Sequence, residues 1–551
     1  MKVVIIGGVA GGMSAATRLR RLDEDAEIVV FDKGPYVSFA NCGLPFYLSG
    51  EISERADLVV QTPEKLQQRF NLDVRPNHEV TQILPDSHEV IVRYAGQLTH
   101  ESYDRLILAP GARPIMPDLP GIADAKNIYA LRSIPDLDQI MTGIQAESTR
   151  RVLVVGGGFI GLEVAENLVL SGLKVTVVEQ APHVLPPLDT EMAAFVETEL
   201  ARNGVGVITG QAVASFEDAG TVAVLADGTR LTTDLTIMAV GVRPASQLAK
   251  AAGLRLGFHD GIVVDQQYQT SESDIYAVGD AIVVQQQVTN KPTLIPLASP
   301  ANRQGRQVAD NIVGLPHPNR GSLGTAIVRA FKLTAAATGL SEYQAQQAGL
   351  TYRVVHVRGG SHAGYFPGST PLTLKLVFNP DSGEIYGAQG VGEQGVDKRI
   401  DVLATAIKGD LTIDDLPELE LTYAPPFGSA KDPVNMLGYV AMNVAEGLSK
   451  TIQWYQLPAT LAAGRQVLDV RDADELVDGE FKRTRNIPLN QLRQRLTELD
   501  STQPYVVSCF SGQRSYIAER LLRQHGFDVV NLDGAFALYH AVRPQDLIYQ
   551  R

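Results

Sequence analysis

The sequence predicts an α/β chain of several domains, and three patterns carry that reading. A short apolar strand, a glycine-rich turn and a helix occur in that order twice, about 150 residues apart. From about 324 to 438 strand-like runs (353–357 and 372–378) alternate with helical ones, which reads as an α+β domain. The last hundred residues run strand (466–470), helix, strand (505–508), loop, helix, strand (529–532), a small separate α/β domain. A chain of 551 residues exceeds what one hydrophobic core supports. With 44% apolar and 20% charged residues the composition is that of a globular protein. A formal charge of −14 argues against a nucleic-acid partner. No apolar run reaches about 18 residues, so no membrane span is expected. Two cysteines cannot build a disulfide framework, and Met1-Lys2 leads straight into a strand, leaving no room for a signal peptide. A cytoplasmic location is therefore expected, and no metal site.

The first repeat starts with the apolar run 3–6 and the turn Gly7-Gly8-Val9-Ala10-Gly11-Gly12. A helix to about Leu22 and a second buried strand, 28–31, follow, ending at Asp32. The second repeat has the strand 152–155, Gly156-Gly157-Gly158-Phe159-Ile160-Gly161, a helix to about Leu170, and the strand 175–178 ending in Glu179. Strand, glycine turn, helix, strand and acid make a dinucleotide-binding βαβ unit. In the second unit Gly156 allows the tight turn, Gly158 lets a pyrophosphate approach the backbone, and Gly161 lets helix pack on strand. The helix N-terminus offers amide donors and a positive dipole to that pyrophosphate. Glu179, 18 residues past Gly161, can accept from both ribose hydroxyls and would repel a 2′-phosphate, which favours NADH over NADPH while leaving NADPH possible. The first unit departs from the pattern. Gly7 and Gly12 hold the outer positions, but Val9 stands at the middle glycine; Asp32, 20 residues past Gly12, restores the ribose-binding acid.

Four signatures in order then resemble the two-dinucleotide flavoproteins. Ile275-Tyr276-Ala277-Val278-Gly279-Asp280 resembles their second flavin motif, in which the aspartate contacts FAD. The stretches 106–114 and 237–244 look like the two crossings between FAD and NAD domains. The resemblance implies Rossmann-like domains for FAD (1–112 plus 245–323, discontinuous) and NAD (113–244). An α+β dimerisation domain (324–445), a polar linker (446–458) and the C-terminal α/β domain (459–551) complete the expected architecture.

Each of the two cysteines sits in its own reactive-thiol motif. Disulfide reductases of this fold carry a C-x-x-x-x-C pair against the flavin, whereas here Cys42 is alone. It must alternate between thiolate and a mixed disulfide, persulfide or sulfenic acid. A thiol lowered by a helix start or a cation would favour the useful form. Ser38-Phe39-Ala40-Asn41-Cys42-Gly43-Leu44-Pro45 resembles the S-F-x-x-C-G-x-P signature of CoA-disulfide reductases and related single-cysteine flavoproteins. NADH peroxidases and oxidases share the lone cysteine but carry a histidine where this chain has Ala10, which weakens that reading. The resemblance implies that Ala10, Arg18, Arg21, Ser38, Phe39, Asn41, Asn302 and Arg306 meet coenzyme A. It also implies a homodimer in which Tyr365 and Tyr423 stand beside the partner subunit's cysteine, where their phenols could stabilise a departing thiolate. Glu163, in the second helix, is expected near the nicotinamide.

Cys509-Phe510-Ser511-Gly512-Gln513-Arg514-Ser515 follows a strand and precedes a helix. Such a loop curls backbone N–H groups toward the sulfur, and Arg514 adds positive charge. With Leu468-Asp469-Val470-Arg471 upstream, the domain resembles a single-domain rhodanese, which implies a Cys509 that carries sulfane sulfur. The whole chain thus resembles CoA-disulfide reductase/rhodanese fusions, the group that includes NADH-dependent persulfide reductases. Small-molecule disulfides, CoA persulfide and polysulfides are the expected substrates. An NADH oxidase or peroxidase, and a redox or sulfur sensor, remain as alternatives.

Overall fold

A computed structural model describes residues 1–549. The chain divides into two compact units, Met1–Ala181 with Gly204–Gly324, and Pro182–Asn203 with Thr325 onward.

The first unit holds two five-stranded parallel sheets. One orders its strands Ile275–Ala277, Arg105–Leu108, Lys2–Ile6, Glu27–Phe31 and Asp73–Arg75; the other orders Gly206–Thr209, Lys174–Glu179, Arg151–Val155, Leu235–Met238 and Ile128–Tyr129. Val3, Val4 and Ile5 are wholly buried, as expected of a parallel strand covered on both faces. The two expected crossings pair with each other: Ala112–Pro114 lies antiparallel to Val242–Pro244, with Arg113 opposite Arg243. Helix Ala10–Leu22 crosses helix Ala298–Ile312 at its glycines. A Cβ on Gly305 would stand 2.2 Å from the carbonyl oxygen of Gly11, so only glycine permits the approach.

In the second unit a five-stranded antiparallel sheet orders Ala326–Ala330, Leu333–Gly339, Ile385–Gly392, Pro371–Phe378 and Arg353–Gly360. The expected helix between the last two is absent. They pair directly, Arg353 opposite Phe378, joined by the loop that carries Tyr365. The C-terminal domain is a parallel sheet in the order Thr451–Ile452, Val529–Leu532, Tyr505–Ser508, Gln466–Asp469 and Thr484–Asn486. Its first strand falls inside the stretch expected to be a linker, and Leu457 there is fully buried. That stretch is polar because its side chains are used for pairing, not because it is unstructured.

One buried cluster ties this unit together. The Lys375 ammonium, wholly buried, contacts Asp189 (2.9 Å), Glu342 (2.8 Å) and Glu191. His356 places Nδ1 at 2.7 Å from Asp533 and Nε2 at 3.2 Å from Glu191. Trp454 donates to Glu191 (3.0 Å), and Tyr455 donates to Glu342 (2.8 Å). Helix Thr190–Arg202, expected within the NAD domain, belongs to this unit, and Glu191 in its first turn is part of the reason. Among the described residues no helix is long and apolar enough to cross a membrane.

Candidate functional site

Both glycine turns have the geometry their sequences predict. Gly7 and Gly156 adopt φ of +107° and +109°, closed to other residues without strain. A Cβ on Gly12 would lie 1.9 Å from the oxygen of Gly7, and one on Gly161 equally close to that of Gly156. Gly158 is different: a Cβ there would meet nothing within 4 Å, so its glycine keeps space open over the turn. Val9 is tolerated at the matching place in the first unit because its φ is −115°, outside the left-handed region. Helices Ala10–Leu22 and Phe159–Leu170 both begin without a side-chain cap, leaving first-turn amides to other acceptors. Asp32 accepts from the amides of Gly8 and Gly34, both at 2.8 Å, and burial pushes its carboxyl up against those bonds. Glu179 accepts from Gly157 (2.6 Å) and Ala181 (2.7 Å), which aims it across the second turn. Uncapped amides and a fixed carboxylate suit a dinucleotide at each turn, with open space over Gly158 besides at the second.

Asp280 follows Gly279, whose amide donates to the buried Gln304 (2.7 Å). Burial raises the Asp280 carboxyl, opposed by Arg132. The guanidinium of Arg132 is itself lowered by burial and held up by Asp32, Asp136 and Asp280, so one cation serves both flavin-motif acids. Sequence reasoning passed over Arg132, since a lone arginine before a helix cap has no motif around it.

Cys42 is exposed, in the short turn Asn41–Gly43 that leads into helix Leu44–Leu48. Its loop is pinned at Ser38, where φ is +46° and the amide donates to Gly8 (2.7 Å), and at Phe39, which bridges to Val59. The expected lowering of this thiol is reversed. Desolvation raises it, and the carboxylates of Glu163 and Asp280 add to the effect. Glu163 lies on helix Phe159–Leu170, close enough for that influence.

Of the residues expected at coenzyme A, Ala10, Arg18, Arg21, Asn302 and Arg306 lie on the two crossing helices, and Ser38, Phe39 and Asn41 lie on the Cys42 loop. Ala10 opens the first helix, Ser14 donates to Asn302 (2.7 Å), and Arg21 is exposed in the last turn. Arg18 places Nε at 2.6 Å from Asp310, a carboxylate only 2% exposed. Asp310 also faces Nε of Arg306 (3.9 Å) and Nδ1 of His317 (3.1 Å). Asp310 carries no sequence signal, yet it is the carboxylate that Arg18, Arg306 and His317 share.

In the second unit the hydroxyls of Tyr365 and Tyr423 lie 2.8 Å apart. Both rings are exposed, Tyr365 by 76%, and the bond between them raises the Tyr365 phenol. Lys398, Thr422, Ala424 and Phe427 line a depression with Tyr423.

Cys509 is fully buried at the end of strand Tyr505–Ser508. The Gly512 amide donates to its sulfur (3.1 Å), and Ser515 Oγ stands at 3.6 Å. Gly512 takes φ of +104°, which turns that amide inward. Arg514, expected to charge the loop, binds Glu475 with both Nη atoms at 2.6 Å, and Asp472 lies at 3.4 Å. Its charge is largely cancelled where the sequence alone suggests a free cation.

Residues 1–305 match the pyridine nucleotide-disulphide oxidoreductase family, residues 325–433 its dimerisation domain, and residues 454–541 the rhodanese-like domain. The coenzyme A disulfide reductase of Staphylococcus haemolyticus is 35% identical over 446 residues, covering 80% of this chain and all of that one. The structure of reduced Bacillus anthracis CoADR-RHD is 48% identical with a TM-score of 0.98, covering 100% of this chain and 99% of that one. A NAD-dependent persulfide reductase from A. fulgidus is 38% identical with a TM-score of 0.94, covering 98% of this chain and all of that one. Fold and site together define a dinucleotide-dependent oxidoreductase with an appended rhodanese-like domain. The chain belongs to the pyridine nucleotide-disulphide oxidoreductase family.

Proposed function

We propose that the protein is an FAD-dependent, NADH-preferring reductase of coenzyme A disulfide, coenzyme A persulfide or polysulfide, acting as a homodimer. The observation that carries this reading is the lone exposed Cys42, set in a loop pinned to the first glycine turn. With one other cysteine in the chain, and that one buried, Cys42 has no neighbour for an internal disulfide. FAD, when bound, supplies a two-electron relay between NADH and a thiol. The amides of the first turn, Asp32 and Asp280 hold it; those of the second turn, Glu163 and Glu179 serve the nicotinamide dinucleotide.

The Cys42 thiolate attacks a substrate sulfur, forms a mixed disulfide or persulfide, and releases coenzyme A thiolate or hydrosulfide. Arg18, Arg21 and Arg306 bind the coenzyme A phosphates, with Ser38, Phe39, Asn41 and Asn302 around the chain. Tyr365 and Tyr423 of the partner subunit donate to the leaving thiolate, their mutual hydrogen bond holding one phenol as donor. Cys509 carries sulfane sulfur under the Gly512 amide.

Anaerobic NADH oxidation with each acceptor tests this. Wild type turns over coenzyme A disulfide or persulfide, and Cys42→Ser abolishes it. Persulfide-dependent oxidation intact in Cys42→Ser sinks the mechanism.

A further inference from the structure

The Cys509 centre combines a sulfur sealed from solvent with a cation already taken. Cys509 is 0% exposed, and the Gly512 amide donates to its sulfur at 3.1 Å. Arg514 is the loop's own arginine. Glu475 takes both its Nη atoms at 2.6 Å in a bidentate pair, and Asp472 approaches one of them at 3.4 Å. The next arginine, Arg471, is wholly buried and equally engaged by Asp469 (2.7 Å). Arg514 and Arg471 are thus held by Glu475, Asp472 and Asp469, while Arg358 lies over the Phe510 ring of the loop at 5.9 Å from its centroid. The Glu475 carboxyl is lowered by Arg514, as a tightly held partner should be.

An oxyanionic sulfur donor needs the opposite arrangement. Thiosulfate is a dianion whose sulfonate oxygens must shed water to bring its outer sulfur to a buried thiolate. A free guanidinium could replace that water with two charge-assisted hydrogen bonds. Here both donors of that fork are occupied by Glu475. A persulfide, R–S–S⁻, brings no sulfonate head and asks for no such fork.

We propose that Glu475 is a specificity-determining residue of the Cys509 centre: by holding both Nη atoms of Arg514 it closes the site to thiosulfate-type oxyanions and reserves it for persulfide and polysulfide donors. The inference rests on the reading of Cys509 as the sulfur carrier. With a persulfide the Cys509 thiolate takes the outer sulfur, a new S–S bond forms on Sγ, the donor's S–S bond breaks, and R–S⁻ leaves with the electron pair. With thiosulfate the same attack would release sulfite. Cyanide then removes the outer sulfur as thiocyanate and restores the thiolate in either case.

Glu475→Gln removes the charge while its side-chain oxygen can still accept from the Asp472 amide, the capping-box bond that Glu475 makes at 2.9 Å. Thiocyanate formation by the full-length protein is measured with thiosulfate and with coenzyme A persulfide, in wild type, Glu475→Gln, Glu475→Gln/Arg514→Gln and Cys509→Ser. The expected result is a gain of tenfold or more in kcat/KM for thiosulfate in Glu475→Gln. Less than a twofold change is expected for the persulfide, and the gain should vanish in the double variant. Glu475→Ala is read in the same way should the glutamine variant fail to fold. The proposal is overturned if neither variant gains with thiosulfate, if both donors gain in parallel, or if the gain survives loss of Arg514. Persulfide transfer unchanged in Cys509→Ser instead overturns the sulfur-carrier reading, and this inference with it.

Discussion

His356 makes the stability of the second unit depend on alkaline pH in a calculable way. Both of its ring nitrogens face carboxylates, Asp533 at 2.7 Å and Glu191 at 3.2 Å, and the side chain is 1% exposed. A neutral imidazole has one donor, so satisfying both partners requires the imidazolium. Although burial opposes the charge, Asp533 and Glu191 outweigh it and push the group up from 6.5 to about 9. A raised folded value means that the stabilisation is complete below pH 6.5, falls across the window from 6.5 to about 9, and is gone above it. Within that window the unfolded chain has lost a proton that the folded chain keeps. The slope from this group is therefore about −1.4 kcal/mol per pH unit, and the whole effect is about 3 kcal/mol. Trp454, the chain's only tryptophan, donates to the same Glu191 and reports on the cluster directly. Urea unfolding followed by its fluorescence, at pH steps from 6 to 10, should show wild type losing about 3 kcal/mol relative to His356→Gln. Parallel pH profiles for the two proteins, within about 0.5 kcal/mol, would refute the double ion pair.

Other expectations follow from the same geometry. Lys375→Met should cost about 3–5 kcal/mol in the Trp454-monitored transition, because Asp189, Glu191 and Glu342 lose their shared cation. Arg18→Gln should raise KM for coenzyme A disulfide roughly tenfold, with KM for NADH unchanged, as steady-state kinetics will read. Tyr365→Phe should lower kcat with coenzyme A disulfide by about tenfold or more, with little change in KM, if the phenol serves the leaving thiolate. Glu179→Ala should raise the NADPH/NADH ratio of kcat/KM by roughly tenfold through loss of like-charge repulsion at the ribose.

What could be read from the chain is what short-range geometry dictates. The turn at Gly156, the open space over Gly158 and the acid at Glu179 lie within one βαβ unit, so spacing along the sequence is spacing in the structure. The C-terminal strand Val529–Leu532 is legible for the same reason: three of its four residues, Val529, Val530 and Leu532, are apolar and lie between turns. Partners remote in sequence were not legible. Asp533 meets His356 across 177 residues, and nothing in either neighbourhood marks the other. The segment 446–458 looked like a linker because its polar side chains face partners far away, as Trp454 faces Glu191.

Arg514 carries this distinction into chemistry. A motif places a residue type beside a sulfur, and Arg514 does lie near enough to Cys509 to feel its charge. Whether that cation is available is settled 39 residues upstream, by a glutamate that no loop pattern includes. The same holds at Cys42, where the motif locates the thiol but Glu163 and Asp280, on separate elements, raise it. In both centres the sulfur's position is a local property, while the charges that surround it are a tertiary one. Exchanging Glu163 or Asp280 should therefore retune Cys42 while leaving its loop intact.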